Sequence, residues 1–333
     1  MGLLPTLAGA QGVPPLVWQI QAHANNKRVQ DISFSPNGSM LATAGEDRFI
    51  KIWNAADGSQ IASAIAPAPV GCVDWSPNGR WIASCSFIHE SVDQGDHLVR
   101  IWDADTLSPI TTLPGATADV QQVDFSPDNS LIVSAGRDGV VRLYRTSDWS
   151  FVQSYMISGW PVMDVRFTCD GSKIVALDFA GEFTVVDSQL NLLRYIPTIM
   201  HSSFSSLAIS NDGRTAVGLA FNVMAWISLD SLTLIGYTNS QVSQCYAADF
   251  AQDGRSVLMA GLGGNREIEA WQPTNRTVLK MWDAQSDNRL QVVFSLASQP
   301  GYSNRFAYGN FYGQLFMARN PFVKFLQLSP PWH

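Results

Sequence analysis

The chain has 333 residues, 46% of them hydrophobic and only 15% charged, with a net charge of −7. A chain this long and apolar can bury a large core, and a charged fraction below the about 25% usual for soluble domains suits a fold of strands and tight turns. The acidic balance and the lack of any Lys/Arg run argue against a general binder of nucleic acid or anionic membrane, since both need a concentrated basic face; no window approaches the roughly 20 apolar residues of a spanning helix.

Residues 1–15 read as a flexible leader. The stretch 2–10 (GLLPTLAGA) is apolar and ends on an A-x-A-like triplet, but no basic residue precedes Lys27 and Pro5 interrupts it, so it lacks the n-region and core of a signal peptide. LVWQIQ at 16–21 reads as a strand. From residue 29 a unit recurs: an apolar strand, a turn of the type S-P-[ND]-G, a second apolar strand, then a third ending in an aromatic. It begins as VQDISFSPNG (29–38), VGCVDWSPNG (70–79) and VQQVDFSPDN (120–129). Weaker copies are VMDVRFTCDG (162–171), FSSLAISNDG (204–213) and CYAADFAQDG (245–254). A seventh, RLQVVFSLAS (289–298), keeps the strand and loses the turn.

In Ser35-Pro36-Asn37-Gly38, Pro presets a negative φ and Asn-Gly tolerate the left-handed conformation that reverses the chain. Third strands are expected over 49–53, 98–102, 140–144, 183–186, 223–226 and 268–271. Outer strands follow short polar turns. The apolar anchors Phe34, Trp75, Phe125, Phe167, Ile209, Phe250 and Phe294 lie 41, 50, 42, 42, 41 and 44 residues apart. A period of about 40–45 residues with a W-D signature marks a propeller of four-stranded blades. The interval of 50 marks an insertion in the second unit.

Over residues 16–320 the chain resembles the WD-repeat propellers. That resemblance implies an all-β fold, a single seven-bladed β-propeller with four-stranded antiparallel blades over 16–328, closed by the N-terminal strand completing the last blade. Residues 329–333 form a C-terminal tail. The stretch 322–328 (FVKFLQL) is also strand-like and competes for the closing slot. The family's buried tetrad is complete in the first unit as His23, Thr43, Asp47 and Trp53. It decays to Ser84, Asp96 and Trp102 in the second and to Ser134 and Asp138, with Tyr144 for Trp, in the third. These are structural groups rather than a catalytic dyad, because buried polar groups must be paired. Trp282-Asp283 falls at an outer strand and is not the signature position.

The resemblance further implies a binding face built from the loop leading into each blade and from the turn between second and third strands. Mapped onto this sequence the positions are Arg28, Gln30, Asp119, Gln121, Pro161, Met163 and Tyr246, with Glu46 and Arg137 in the turns. The insertion FIHESVDQGDH (87–97) puts His89, Glu90 and Asp93 on that face. Its spacing matches no metal-ligand motif, and lengthened loops are often functional.

Four cysteines (Cys72, Cys85, Cys169, Cys245) show no C-x-x-C spacing. No zinc site and no disulfide framework are expected, which favours a reducing, cytoplasmic location. No catalytic signature is present, and no cofactor is implied. The expected function is a non-catalytic protein–protein interaction scaffold. Alternatives are a structural subunit of a larger assembly, or an enzyme or metal binder with a site in the central channel. There Asp31, Asp74, Asp124, Asp164 and Asp249 sit near the middles of innermost strands, where they are expected to serve the blade turns or to ring a cation.

Overall fold

The computed structural model describes residues 16–86, 96–198, 204–242, 244–252, 254, 256–262, 268–282, 293–302 and 304–319. They form 28 strands in seven four-stranded antiparallel sheets. Six sheets are meanders of consecutive strands, from Val29–Phe34 to Gln60–Ile65 in blade one through Gln244–Phe250 to Thr277–Trp282 in blade six. The seventh contains Val293–Ser298, Arg305–Asn310 and Gln314–Arg319, and its outer strand is Leu16–Gln21 from the other end of the chain. Leu16–Gln21 pairs antiparallel with Gln314–Arg319 (Gln21 opposite Gln314), so the N-terminal strand closes the ring. The competing stretch 322–328, the leader and the tail lie outside the described residues. No described helix is long and apolar enough to cross a membrane.

Six of the seven innermost strands carry a bulge near the start of their pairing, at Val29/Asp31, Val120/Gln122, Val162/Asp164, Phe204/Ser206, Cys245/Ala247 and Val293/Ser295; Cys72–Trp75 of blade two pairs without one. This landmark corrects the seventh unit. Val293 is the equivalent of Val29, so Ser298 and not Phe294 occupies the anchor position. The turn is not lost: Gln299 N–H donates to Arg305 O and Tyr302 N–H to Gln299 O, as Ser35 N–H does to Met40 O and Gly38 N–H to Ser35 O. The aromatic ring of Phe294 resembles an anchor but stands four residues before that position.

The S-P-N-G turn owes its rigidity to Ser35. Its Oγ donates to Asn37 Oδ1 (2.8 Å) and accepts from Met40 N–H (2.9 Å), and Gly38 takes φ +68. The same hydroxyl arrangement recurs at Ser76, Ser126, Thr168 and Ser210. Because each blade has two apolar faces, the core lies between blades. Ala42, Ile50 and Ile52 of blade one pack on Val73, Trp75 and Trp102 of blade two. Phe34, Leu41 and Trp53 pack on Leu315 and Met317 of blade seven.

Cys72 and Cys85 face each other across the first two strands of blade two, with Cα atoms 5.2 Å apart, and form a disulfide. Where no disulfide framework was expected, a single disulfide forms: cross-strand opposition is a property of register, invisible in the spacing of thirteen residues. The pairing removes the argument from cysteine usage to a reducing compartment.

Candidate functional site

In blade one the Trp53 indole N–H donates to Thr43 Oγ1 (3.0 Å), which bonds His23 Nε2 (2.9 Å), while His23 Nδ1 bonds Asp47 Oδ1 (2.8 Å). Burial lowers the His23 pKa against the opposing pull of Asp47. Burial also acts to raise Asp47, but the hydrogen bond and charge of His23 prevail and hold it at about 2. A neutral imidazole that donates from Nδ1 and accepts at Nε2 satisfies all four groups, with Trp53 and Thr43 shut off from solvent.

Blades two and three lack the histidine and reach the same end by other means. Trp102 donates to Ser84 Oγ (2.9 Å), and Asp96 pairs with Arg100, whose Nη1 lies 3.0 Å from Oδ1. Asp138 pairs with Arg142 at 2.6 Å and accepts Thr117 N–H. Tyr144 O–H donates to Pro114 O, and Ser134 is buried beside it. In both blades an arginine four residues after the turn aspartate supplies the missing donors. Blade six has its own device, in which Glu269 accepts from Trp271 Nε1 (2.8 Å) and from Ser240 Oγ (2.9 Å). No motif announced these substitutes, because the replacing residue sits on a different strand position.

The residues mapped to the loop face split into groups. Arg28, Gln30 and Glu46 meet: Gln30 Nε2 donates to Glu46 Oε1 (3.0 Å), and Arg28 Nε lies 3.4 Å from the same oxygen. Arg28 also sits over the rings of Phe294 (4.5 Å) and Phe311 (5.0 Å), and Tyr246 stacks on Phe294 at 4.6 Å. Asp119 lies 3.9 Å from His97, and Asp119 and Gln121 are buried with Arg28 and Gln30. Arg137, Met163, Glu46 and Tyr246 are half-buried. The ring expected to be exposed is thus largely a packed collar around the channel mouth. His89, Glu90 and Asp93 lie outside the described residues.

Of the aromatics Trp160, Tyr302, Tyr308 and Tyr312, which the sequence offers either to line a face or channel or, by default, to pack between blades, only Tyr308 is buried. Trp160, in the loop leading into blade four, is 55% exposed and stacks on exposed Phe179 of the following turn (6.5 Å). Phe221 and Tyr312 occupy the corresponding turns of blades five and seven, Leu262 ends the second strand of blade six, and all three are exposed as well. Phe221 holds φ +39, an uncommon backbone for a bulky residue.

The channel aspartates do not serve the turns of their own blades. Asp31 accepts Val73 N–H (3.0 Å), Asp74 accepts Phe125 N–H (2.9 Å), Asp124 accepts Phe167 N–H (2.6 Å), Asp164 accepts Leu207 N–H (2.8 Å) and Asp249 accepts Ser298 N–H (2.7 Å). Each donor belongs to the next blade. Ser206 Oγ accepts Ala248 N–H, and Ser295 Oγ donates to Val29 O, so all seven junctions carry a side-chain bond. Arg166 lies among these groups, 3.1 Å from Asp164 and 3.8 Å from Asp124. Burial raises all five carboxylates, Asp31 to about 7 and Asp249 to about 6. Among the described residues no three His, Cys, Asp or Glu side chains lie close enough to hold a metal ion.

Residues 15–54, 58–103 and 107–145 match the family model described as "WD domain, G-beta repeat". With seven four-stranded blades this decides the family. The chain is a WD-repeat β-propeller. It is similar to WD repeat-containing protein AAC3 of Dictyostelium discoideum, 26% identical over 198 residues (45% of this chain, 40% of the relative). It is 24% identical over 210 residues to transcription initiation factor TFIID subunit 5 of Caenorhabditis elegans (62% and 31%). Small ribosomal subunit protein RACK1z of Arabidopsis thaliana is 30% identical over 135 residues (35% and 38%). The chain therefore spans 40% or less of the length of these relatives. WD-repeat propellers in general mediate protein interactions and scaffold assemblies.

Proposed function

We propose that this propeller is a non-catalytic scaffold that docks a protein partner on the loop face. The observation that carries the reading is the set of exposed apolar residues Trp160, Phe179, Phe221, Leu262 and Tyr312, held at the loops and second-strand ends of four consecutive blades. Contiguous exposed apolar groups mark interaction sites, and interface energy concentrates in buried aromatic anchors. Affinity capture from the native source with mass spectrometry tests this. A Trp160→Ser/Phe179→Ser chain should melt like the wild type yet lose the proteins the wild type retains. If it captures the same set at the same yield, the face is wrong.

A second reading is a structural subunit of a larger assembly. It is favoured by the rim of blades three and four, where the outer strands expose Phe151, Val152 and Met156 and, next to them, Leu192, Leu193 and Tyr195. Exposed apolar edge strands are ready-made pairing surfaces. Sedimentation of the purified chain discriminates: a soluble monomer at high concentration supports the first reading over the second.

A further inference from the structure

One turn position recurs in blades one to six. It lies between the third and fourth strands, two residues before the outer strand begins to pair, and its φ is left-handed each time, from +53 to +74: Gly58, Leu107, Trp149, Leu190, Leu232 and Arg276. In blades two to five its side chain plugs the junction with the preceding blade. Leu107 is buried between blades one and two, and Leu190 between blades three and four. Leu232 packs between blades four and five, and Trp149 meets Trp81 of blade two edge-on at 5.1 Å. In blade one the position has no side chain, and Trp18 from the outer strand of blade seven fills the space, 2.9 Å from where a Gly58 Cβ would stand.

Blade six departs from this pattern. Its residue is Arg276, and the junction between blades five and six holds a cavity of about 640 Å³ that Arg276 lines. We propose that this cavity docks a segment of a partner protein, with an Asp or Glu side chain on Arg276 and a neighbouring apolar side chain in the space that leucine or tryptophan takes at the other junctions. The site lies on the face opposite the loops, so it is separate from the loop-face docking and does not depend on it.

The first support is an uncommitted cation. Arg276 is half-buried. Its backbone N–H donates to Gln272 O (2.8 Å), but its guanidinium makes no ion pair and no hydrogen bond among the described residues. Blade five makes room for it. Ile235 is the extra residue of a bulge in the outer strand and stands 47% exposed at the cavity. Beside it, a Cβ at Gly236 would lie 3.1 Å from Arg276 Nη1, so the glycine lets the guanidinium rest against the strand.

The walls are the second support. Trp226 and Phe250 give apolar surface, and the Trp226 indole N–H is already committed to Thr238 Oγ1 (2.7 Å). Asn211 Nδ2 donates to Ala251 O (3.2 Å) and Gln252 O (2.8 Å), which ties the first turns of the two blades together and holds the cavity open at a fixed width. Asp212, also in the wall, accepts from Ser210 Oγ (2.6 Å) and Arg214 N–H (3.0 Å) within its own turn. The volume falls in the range of about 300–1,000 Å³ usual for ligand sites. One guanidinium fork matches one carboxylate. A phosphate brings about two charges, and the described wall offers a single cation beside Asp212, so a carboxylate is the better fit.

Selection of random displayed peptides on the full chain, followed by fluorescence anisotropy of those selected, tests the site. The peptides should be enriched in Asp or Glu next to a large apolar residue. Arg276→Leu restores the plug found in blades two, four and five, so it should melt no lower than the wild type. It should nevertheless weaken peptide binding at least about tenfold, the value of a charge-assisted hydrogen bond. Arg276→Lys keeps the charge without the fork and should weaken it less. Changing the peptide's acid to its amide should cost about the same tenfold on the wild type and nothing further on Arg276→Leu, a coupling that a misfolded variant would not show. Trp160→Ser/Phe179→Ser should bind these peptides normally. No acidic enrichment, wild-type affinity in Arg276→Leu, or peptides lost only with the loop-face variant overturns the proposal. Displacement of the peptide by acetyl-Glu-amide at equal concentration also overturns it, because the cavity would then be a site for a small acid.

Discussion

Thr43 is the pivot of the blade-one tetrad. It takes the Trp53 indole proton and bonds the His23 ring, and both neighbours are buried. Thr43→Val preserves shape but strands two polar groups, so it should cost about 1–3 kcal/mol for each group left unsatisfied, read from urea midpoints. Thr43→Ser should recover most of the loss. The titratable residues pull in opposite directions with pH. Asp47 is depressed on folding, so its contribution is present above pH 4 and lost as the pH falls through about 2. Asp31 is raised, so the folded state holds a proton that the unfolded chain has released. Its effect is a loss of stability as pH climbs from about 4 to about 7. Asp31→Asn still accepts Val73 N–H and has no such dependence. Denaturation at pH 5 and pH 8 should show the variant gaining on the wild type at the higher pH. A constant difference between the two chains would mean that Asp31 titrates as an ordinary carboxylate.

Between elements, the junctions matter more than the blades taken singly. Asp74 belongs to blade two but satisfies the Phe125 N–H of blade three. Asp74→Ala should destabilise by about 1–3 kcal/mol, while Asp74→Asn, which retains an acceptor, should stay close to the wild type in the same melt. Ring closure on the far face depends on a glycine. Gly38 has φ +68, and a Cβ there would lie 2.2 Å from Pro300 O, in the turn whose Gln299 Nε2 donates to Gly38 O. Gly38→Ala therefore meets both backbone strain and a clash with main chain across the seam between blades one and seven. A loss of at least about 1–3 kcal/mol is expected, larger than for Gly254→Ala, where φ is similar (+66) but a Cβ meets nothing within 4 Å.

For the whole molecule, closure depends on one strand. Leu16–Gln21 covers the edge of Gln314–Arg319, and Trp18 Nε1 reaches across to Ala55 O of blade one (3.0 Å). A chain lacking residues 1–21 exposes that edge and should self-associate, which analytical ultracentrifugation would register as dimers or larger species. The unit count, the first-strand positions of blades one to six, the blade-one tetrad residues and the closing strand were legible in the sequence, because each rests on local pattern: a period of about 40–45 residues, a turn motif, an alternating strand. Other features depend on what lies across a sheet or across a junction. They are the Cys72–Cys85 bond, the arginines paired with Asp96 and Asp138, Glu269 beneath Trp271, and the anchor shift to Ser298. The candidate site divides the same way. The resemblance pointed to the loop face, where Arg28, Gln30, Asp119 and Gln121 prove buried and Trp160 and Phe179 exposed, a difference that only packing shows. By itself the sequence determined that the chain would build seven sheets and join its ends, since period and strand pattern are written along the chain. Only the tertiary structure decided what the channel aspartates do, because their donors lie 42 to 51 residues away in the next blade. Carboxylates that bridge blades appear only when the ring is closed.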